Sequence, residues 1–403
     1  MWERETILLP LALYIDVSDA PPEEIASVHG LLRDLSGAVL VGCREPLAVP
    51  GRPFRLVDAR RPTAEEQERL WAELLAGRPE PAADVEVAIR RLSGEFDLNQ
   101  VAIREAALRA QVGGSIDALW NICQAQTRPR LEALAQRQEA VATWDDLVLP
   151  EAESVLLRHL VDQVRGRATV LRHWGFGERL TRGSGITALF AGQSGTGKSL
   201  AAEVIAGELG LALYRVDLSG VVSKYIGETE RNLRRVFDAA DEGGSLLLFD
   251  EADALFGRRS EVKDSHDRYA NIEVNYLLQR MEDYRGVAIL TTNQRHAVDH
   301  AFLRRLRFVV TFPFPTPRER TLMWQRAFPA RTPVEQLDLS RLTKLATTGG
   351  MIRNIALNAA FCAAGRQVPV TTGLVMEMAR VEFRKLQLPV SDADFRAPVE
   401  VIP

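Results

Sequence analysis

The central part of the sequence predicts an α/β fold, a parallel sheet with helices on both faces, followed by a small helical lid. Between residues 151 and 328, apolar runs of strand length alternate with helix-like segments. Residues 329–390 are helix-like throughout, which predicts the lid, and residues 391–403 are expected to be a frayed tail. The predicted strands are Thr187–Ala191, Leu211–Leu218, Ser245–Phe249, Val287–Thr292 and Phe308–Phe312.

The N-terminal region, residues 1–130, resembles a later part of the same chain. An apolar run ending at Asp16 parallels the run ending at Asp250, and Pro62–Trp71 shares Pro, Thr, Glu and Trp at matching positions with Pro315–Trp324. We interpret residues 1–130 as the back half of a second, degenerate module with its own helical lid. Its front half is expected to lie outside this sequence. The alternative is coincidence between two short α/β segments.

Residues 131–150 are expected to link this region to the central domain. They continue a helical pattern and then become strand-like before Pro150.

One glycine-rich stretch between an apolar run and a helix-like segment has the pattern of a phosphate-binding P-loop. Its glycines let the backbone approach closely, so that successive N–H groups and the helix N-terminus can face a phosphate. Lys198 can reach the β- and γ-phosphates of ATP, and the Ser199 hydroxyl can ligate Mg²⁺. The residues expected to bind the nucleotide are Gly192, Gln193, Ser194, Gly195, Thr196, Gly197, Lys198, Ser199 and Leu200.

The run Ser245–Phe249 is apolar throughout, as expected of a strand buried on both faces, and it ends in Asp250 and Glu251. A carboxylate at that strand end can hold the Mg²⁺ that Ser199 also binds. The next carboxylate can polarise the water that attacks the γ-phosphate. The alternative is an acidic pair that merely ends a strand.

Composition narrows the functional classes. The 403 residues carry a net charge of −4 with dispersed Lys and Arg, so a nucleic-acid partner is not expected. No apolar run is long enough to span a bilayer, and no membrane partner is expected. Three cysteines without CxxC spacing indicate neither a disulfide framework nor a metal site. A cytoplasmic location is the expectation.

These motifs together resemble the AAA ATPases, in particular the Cdc48 and FtsH-like group. The resemblance covers roughly residues 140–385 and rests on Gly192–Ser199, Lys224–Glu230, Phe249–Asp253 and Asp299–Phe308. It implies the AAA+ form of the P-loop sheet with its lid, ATP and Mg²⁺ as cofactors, and ATP hydrolysis. It also implies that Asn293 orients the attacking water. Taken alone, Asn293 would be an ordinary strand-end residue.

In that family, the segment matching Asp299–Phe308 supplies arginine fingers to the neighbouring subunit of a ring. Arg304 and Arg307 align with the two family arginines. The resemblance therefore implies a homo-oligomeric ring, a hexamer, as partner. Arg305 stands where the family usually has Pro, which leaves open which arginine faces the nucleotide. A solvated basic patch is the alternative.

The same resemblance shows what the first copy lacks. Val17 stands at the position of Glu251, and Gly51 and Phe54 stand at the positions of the two arginines. Without those groups a degenerate AAA-like module cannot hydrolyse ATP by the same route.

Two further sites are implied. Tyr225, Ile226 and Gly227 match the loop that lines the central pore of family rings and grips a polypeptide client, although Tyr225 could also be a core aromatic. Arg353 lies where other AAA+ branches carry a nucleotide-sensing arginine on the lid.

The resulting interpretation is an ATP-driven ring motor that remodels, unfolds or translocates protein. The overall resemblance is greatest to bacterial AAA ATPases associated with phage-tail-like contractile injection systems. One alternative is a nucleotide-gated assembly scaffold, which would be favoured if Tyr225→Ala left every client-dependent activity unchanged. The other alternative is a nucleic-acid motor or loader, which a salt-dependent, DNA-stimulated ATPase activity would support.

Overall fold

The computed structural model describes residues 9, 11–18, 20–35, 37–43, 46–47, 51, 53–111, 115–179, 185–218, 228–253, 275–295, 298 and 300–389. The chain divides into two compact units, Met1–Arg61 and Pro62–Pro403.

The first unit contains two parallel strands joined by a helix. Strand β1 (Ala12–Asp16) pairs with β2 (Ala38–Gly42) in a register that runs from Ala12 opposite Ala38 to Asp16 opposite Gly42. Helix α1 (Pro22–Asp34) connects them and begins with a proline near its N-terminus.

The second unit begins with four helices that form a small domain of their own. A capping box at Thr63 and Glu66 starts the first of them. Apolar side chains on one face of each helix, including Trp71, Leu92 and Ile103, pack into a common core. These helices therefore group with the rest of the second unit, not with β1 and β2. Their bounds are α2 Ala64–Leu74, α3 Ala82–Glu95, α4 Gln100–Gln111 and α5 Ile116–Glu132.

A six-stranded sheet follows, in the order β3-β5-β6-β7-β4-β8. Five strands are parallel, as the sequence predicts. Parallel neighbours require the connection between successive strands to return to the same edge of the sheet. The exception is β3, which lies in the predicted linker and pairs antiparallel with β5 at the sheet edge. The strands are β3 Gln136–Gln138, β4 Ile186–Gly192, β5 Ala212–Asp217, β6 Ser245–Asp250, β7 Val287–Thr292 and β8 Phe308–Phe312.

Helices cover both faces of this sheet. Helices α6 and α7 pack on one face, over side chains such as Phe190 and Leu248. Helix α8 and the helical residues 275–283 pack on the other, over Phe249 and Leu290. The helices of this layer are α6 Glu151–Ala168, α7 Lys198–Leu209, α8 Glu228–Ala240 and the short α9 His300–Leu303. Single turns of 3₁₀- or π-helix occur at Trp144–Asp146, Thr169–His173 and Phe176–Arg179.

The lid consists of four helices around a separate core that contains Trp324 and Ile355. Their bounds are α10 Pro317–Gln325, α11 Leu339–Leu342, α12 Gly349–Arg366 and α13 Thr372–Lys385. Among the helices that the structure describes, none is both long and apolar enough to cross a bilayer.

Candidate active site

The P-loop joins the end of β4 to the start of α7. Gly197 is the N-cap residue of α7 and has φ 106°, a conformation open to glycine and strained for other residues. Gly195 has φ 78°, and a side chain there would lie 2.7 Å from Thr348 Oγ1 of the lid. Gln193, Ser194, Gly195 and Ser199 are exposed. Backbone N–H groups at this helix start are therefore available to an anion.

Lys198 is nearly buried beneath this loop. Its ammonium donates to the carbonyl oxygens of Gly192 at 2.7 Å and Gln193 at 2.9 Å, and to Asn293 Oδ1 at 2.9 Å. Burial lowers the pKa of Lys198, and the nearby Asp250, Asp253 and Glu251 carboxylates partly offset that shift. The described part of the site thus brings Lys198 and Asn293 together, although they come from different strand ends.

Asp250 is the last residue of β6, and both of its carboxylate oxygens have partners. Thr291 on the adjacent β7 donates to Oδ1 at 2.5 Å, and Arg215 Nη2 lies 2.9 Å from Oδ2. Glu251 follows with φ 55° and an exposed side chain, and its N–H donates to Thr291 Oγ1 at 3.1 Å. Thr291 therefore holds both acidic residues.

Asn293 follows β7, and a hydrogen bond from its backbone N–H holds it in place. Its N–H donates to the Asp253 carboxylate at 3.1 and 3.2 Å, while Thr292 Oγ1 donates to Asp253 Oδ1. The sequence did not identify Thr291, Asp253 or Arg215 as site residues. Asp253 lies within a recognised motif, but the other two depend on which strands are neighbours.

The donors at this edge fit Mg²⁺. The Ser199 hydroxyl and the Asp250 carboxylate can supply two oxygen ligands and leave the other coordination positions to water and phosphate oxygens. Mg²⁺ prefers such an all-oxygen coordination sphere. Within the described residues, no group of three or more His, Cys, Asp or Glu side chains could hold a metal by itself. A magnesium ion here would therefore depend on the nucleotide for part of its coordination.

The arginines predicted as fingers lie at the other end of the sheet. Arg304 and Arg307 are exposed and precede β8, whereas the P-loop follows the end of β4. Arg307 N–H donates to the Thr187 carbonyl at 3.1 Å, at the start of β4. Arg305, which made the assignment of the fingers ambiguous, forms an ion pair with Glu282 at 3.6 Å in the same chain.

Arg353 is the fifth residue of α12, close to the point where the lid contacts the P-loop. Gly350 N–H donates to the Gly195 carbonyl at 2.9 Å, and Thr348 caps the helix. Arg353 is exposed and three residues after Gly350, so the two share a helix face. Tyr225, Ile226 and Gly227 lie outside the described residues.

Comparison with known protein families decides the class of this site. Residues 188–316 match the ATPase family associated with various cellular activities (AAA). The chain carries an AAA ATPase domain. Residues 63–129, which form α2 to most of α5, match the contractile injection system ATPase helical domain. These matches confirm the resemblance inferred from the motifs, and the sheet confirms the parallel α/β fold.

Individual relatives agree with this family. This chain is 36% identical over 182 residues to the AAA family ATPase y4kL of Sinorhizobium fredii, covering 45% of this chain and 52% of that protein. It is 33% identical over 184 residues to the 26S proteasome protein RPT4 of Saccharomyces cerevisiae, covering 43% and 42%. It is 28% identical over 278 residues to a human katanin-like p60 ATPase, covering 64% and 54%. The chain thus spans about half the length of these curated relatives.

Proposed function

We propose that this AAA ATPase works as a homo-oligomeric ring, a hexamer, that hydrolyses ATP with Mg²⁺ to remodel or translocate a polypeptide client. We further propose that it serves a contractile injection system. The observation that supports the ring is the separation of the two halves of the catalytic machinery across the sheet.

Lys198, Asp250 and Asn293 lie at the carboxyl ends of parallel strands, whereas Arg307 precedes the amino end of β8. Phe312 pairs with Gly192 at the P-loop edge, and Phe308 pairs with Ala188. Since a strand rises about 3.3 Å per residue, Arg307 starts about 16 Å from the level of the P-loop. Its guanidinium therefore suits the nucleotide of a neighbouring protomer better than its own.

Within one protomer the residues have complementary roles. Lys198 and the P-loop N–H groups bind phosphate oxygens, and Ser199 and Asp250 would hold Mg²⁺, which neutralises developing charge on the phosphates. Glu251 would accept the proton of the attacking water. Asn293, with its backbone fixed by Asp253, can exchange its contact with Lys198 for one to that water. Arg353 would contact the γ-phosphate from the lid.

The client and the setting rest on other features. The helical domain at residues 63–129 supports a role in a contractile injection system. The polypeptide client is supported by the sequence of Tyr225–Gly227. Three unpaired cysteines and the need for ATP support a cytoplasmic location.

We also propose that residues 1–130 derive from a second AAA-like module. In α2, Gln67 Nε2 donates to the Pro62 carbonyl at 3.3 Å, and in α10 Arg320 Nη1 donates to the Pro315 carbonyl at 2.6 Å. Both helices begin with a Thr–Glu capping box and bury a tryptophan. This geometry is what duplication would leave.

Mixed rings test the proposed sharing of sites. Lys198→Ala removes nucleotide contacts, and Arg304→Ala with Arg307→Ala removes the fingers, so each variant alone is expected to be inactive. In an equimolar mixture, about one quarter of interfaces would join an intact P-loop to intact fingers, because a head-to-tail interface takes them from different chains. We expect the ATPase rate to recover to roughly that fraction of the wild-type rate.

The matched control mixes Lys198→Ala with Glu251→Gln. Both lesions lie on the same side of the interface, so no combination restores a complete site and the rate should stay at background. Recovery in neither mixture would contradict fingers in trans and favour the nucleotide-gated scaffold.

A further inference from the structure

Asp250 has a cationic partner that the roles described above leave unused. Arg215 Nη2 lies 2.9 Å from Asp250 Oδ2, and the two side chains are 41% and 16% exposed. Thr291 occupies the other oxygen at 2.5 Å. Both oxygens of the carboxylate proposed to serve Mg²⁺ are therefore engaged by the protein itself.

The sheet register produces this contact. In the β5–β6 pair, Asp217 lies opposite Asp250 and Arg215 lies opposite Leu248. Alternate residues of a strand share a face of the sheet. Arg215 is two residues before Asp217, so it lies on the same face as Asp250 and is offset from it by two residues along the neighbouring strand. The arginine side chain is long enough to span this offset, and its planar guanidinium can donate to the carboxylate.

The charges of the site explain why such a partner matters. Asp250, Glu251 and Asp253 follow one another closely, and all three act on Lys198. The Lys198 ammonium donates to Gly192, Gln193 and Asn293, and these contacts leave Asp250 to Arg215. A guanidinium is permanently charged, so it neutralises Asp250 whether or not a metal is present.

We propose that Arg215 is a positioning residue that neutralises Asp250 in the metal-free state and competes with Mg²⁺ for it. This inference rests on the proposed magnesium site. With Arg215 present, nucleotide can bind without metal because Asp250 does not repel the phosphates. Mg²⁺ then increases the affinity for ATP by less than it would without Arg215, because Arg215 must first release or share the Asp250 carboxylate.

The test measures ATP affinity by calorimetric titration in Mg²⁺ and in EDTA. All variants carry Glu251→Gln so that ATP is not consumed. Arg215→Ala should weaken binding in EDTA and leave it equal or tighter in Mg²⁺. The dissociation constant in EDTA divided by that in Mg²⁺ should therefore rise about three- to fivefold, the upper end of the range for a partly exposed charge pair. Arg215→Lys, which keeps the charge without the planar fork, should give an intermediate ratio.

Two controls separate this role from a merely structural one. Arg137→Ala removes an exposed arginine from the neighbouring β3 and should leave the ratio unchanged. In an Asp250→Asn background, Arg215→Ala should no longer change the ratio. Equal weakening in both solutions, with the ratio within twofold of its parent, would overturn the proposal. If the parent itself bound ATP equally well with and without Mg²⁺, the magnesium site would fail together with this inference.

Discussion

Glu251 has a backbone conformation that few residues other than glycine adopt. Its φ of 55° is left-handed, and its N–H is held by Thr291 Oγ1 at 3.1 Å. Such a conformation costs free energy and occurs where the surrounding structure enforces it, commonly at active sites. Here it turns the chain directly after β6, so that Asp250 and Glu251 can serve different partners.

This strain predicts that the effect of the Glu251 backbone on stability can be separated from the effect of its carboxylate on catalysis. Glu251→Gly should raise the free energy of unfolding by about 1 kcal/mol, because glycine adopts positive φ without strain. Glu251→Gln removes the same charge but keeps the strain, so it serves as the matched control. Both should lower kcat at least about a hundredfold. Denaturant unfolding and ATPase rates measure the two effects, and equal stabilities would show that the turn is not strained.

The placement of Lys198, Asp250 and Asn293 at one edge of the sheet could be predicted from sequence, whereas the contacts that hold these residues could not. Lys198, Asp250 and Asn293 lie in short motifs whose spacing is set by one strand and one turn. The contacts of Arg215 and Thr291 with Asp250 depend on which strands are neighbours and in what register. That information is not local, so it is visible only once the sheet has formed.

At the scale of elements, the apolar strands were predictable and the edge strand was not. The predicted Thr187–Ala191 is extended by one residue at each end in β4, because a buried parallel strand has a continuous apolar signal. Strand β3 is Gln-Arg-Gln, with no apolar alternation, and it is defined only by its pairing with β5. The capping box at Thr316, which starts α10, involves residues only three apart, so this helix start is also defined by local sequence.

The helical domain caps the far end of the P-loop helix. Arg91 Nη2 donates to the Leu209 carbonyl at 3.1 Å, and Trp120 Nε1 donates to the Gly210 carbonyl at 2.9 Å. The Arg91 guanidinium also stacks on the Trp120 ring at 4.0 Å. A cation at the C-terminal carbonyls complements the helix dipole, so α7 is stabilised at the end opposite the P-loop.

We expect Arg91→Ala to lower the free energy of unfolding by about 1–2 kcal/mol, because it removes a charged donor and leaves a helix-end carbonyl without that partner. The adjacent Arg90→Ala is the control. Arg90 pairs with Glu86 one turn earlier on the surface of α3, and such a pair contributes at most about 0.5 kcal/mol. Denaturant unfolding of the full chain measures both. Similar losses would mean that the contact with α7 contributes little.

At the scale of the whole second unit, the helical domain meets the amino edge of the sheet at a pair of glycines. Gly244 N–H donates to the Glu95 carbonyl at 3.3 Å, and Asp97 N–H donates to the Glu242 carbonyl at 3.2 Å. A side chain on Gly243 would collide with the backbone of Glu95. The helical domain and the ATPase domain are thus fitted together on the edge opposite the P-loop.

Asp241 lies beside this junction, and burial raises its pKa to about 6 from an ordinary value of 3.8. The Arg285 N–H that it accepts and the charges of Arg280 and Arg285 act in the opposite direction, while Asp238 adds to the rise. Between about pH 4 and 6 the folded chain therefore binds more protons at this site than the unfolded chain. The contribution of Asp241 to stability must fall as pH rises through that window and stay low above it.

Asp241→Asn should remove this loss, because the amide stays neutral at every pH. Relative to wild type, the variant should gain about 2 kcal/mol in unfolding free energy between pH 4 and pH 7, with the change complete by about pH 7. Asp238→Asn is the control. Asp238 is 40% exposed and pairs with Arg280 at 2.5 Å, so its loss should not stabilise the chain. Denaturant unfolding across the pH range measures the difference. If the difference in unfolding free energy between wild type and Asp241→Asn were the same at every pH, folding would not raise the pKa of Asp241, and burial at this junction would not cost stability as the pH rises.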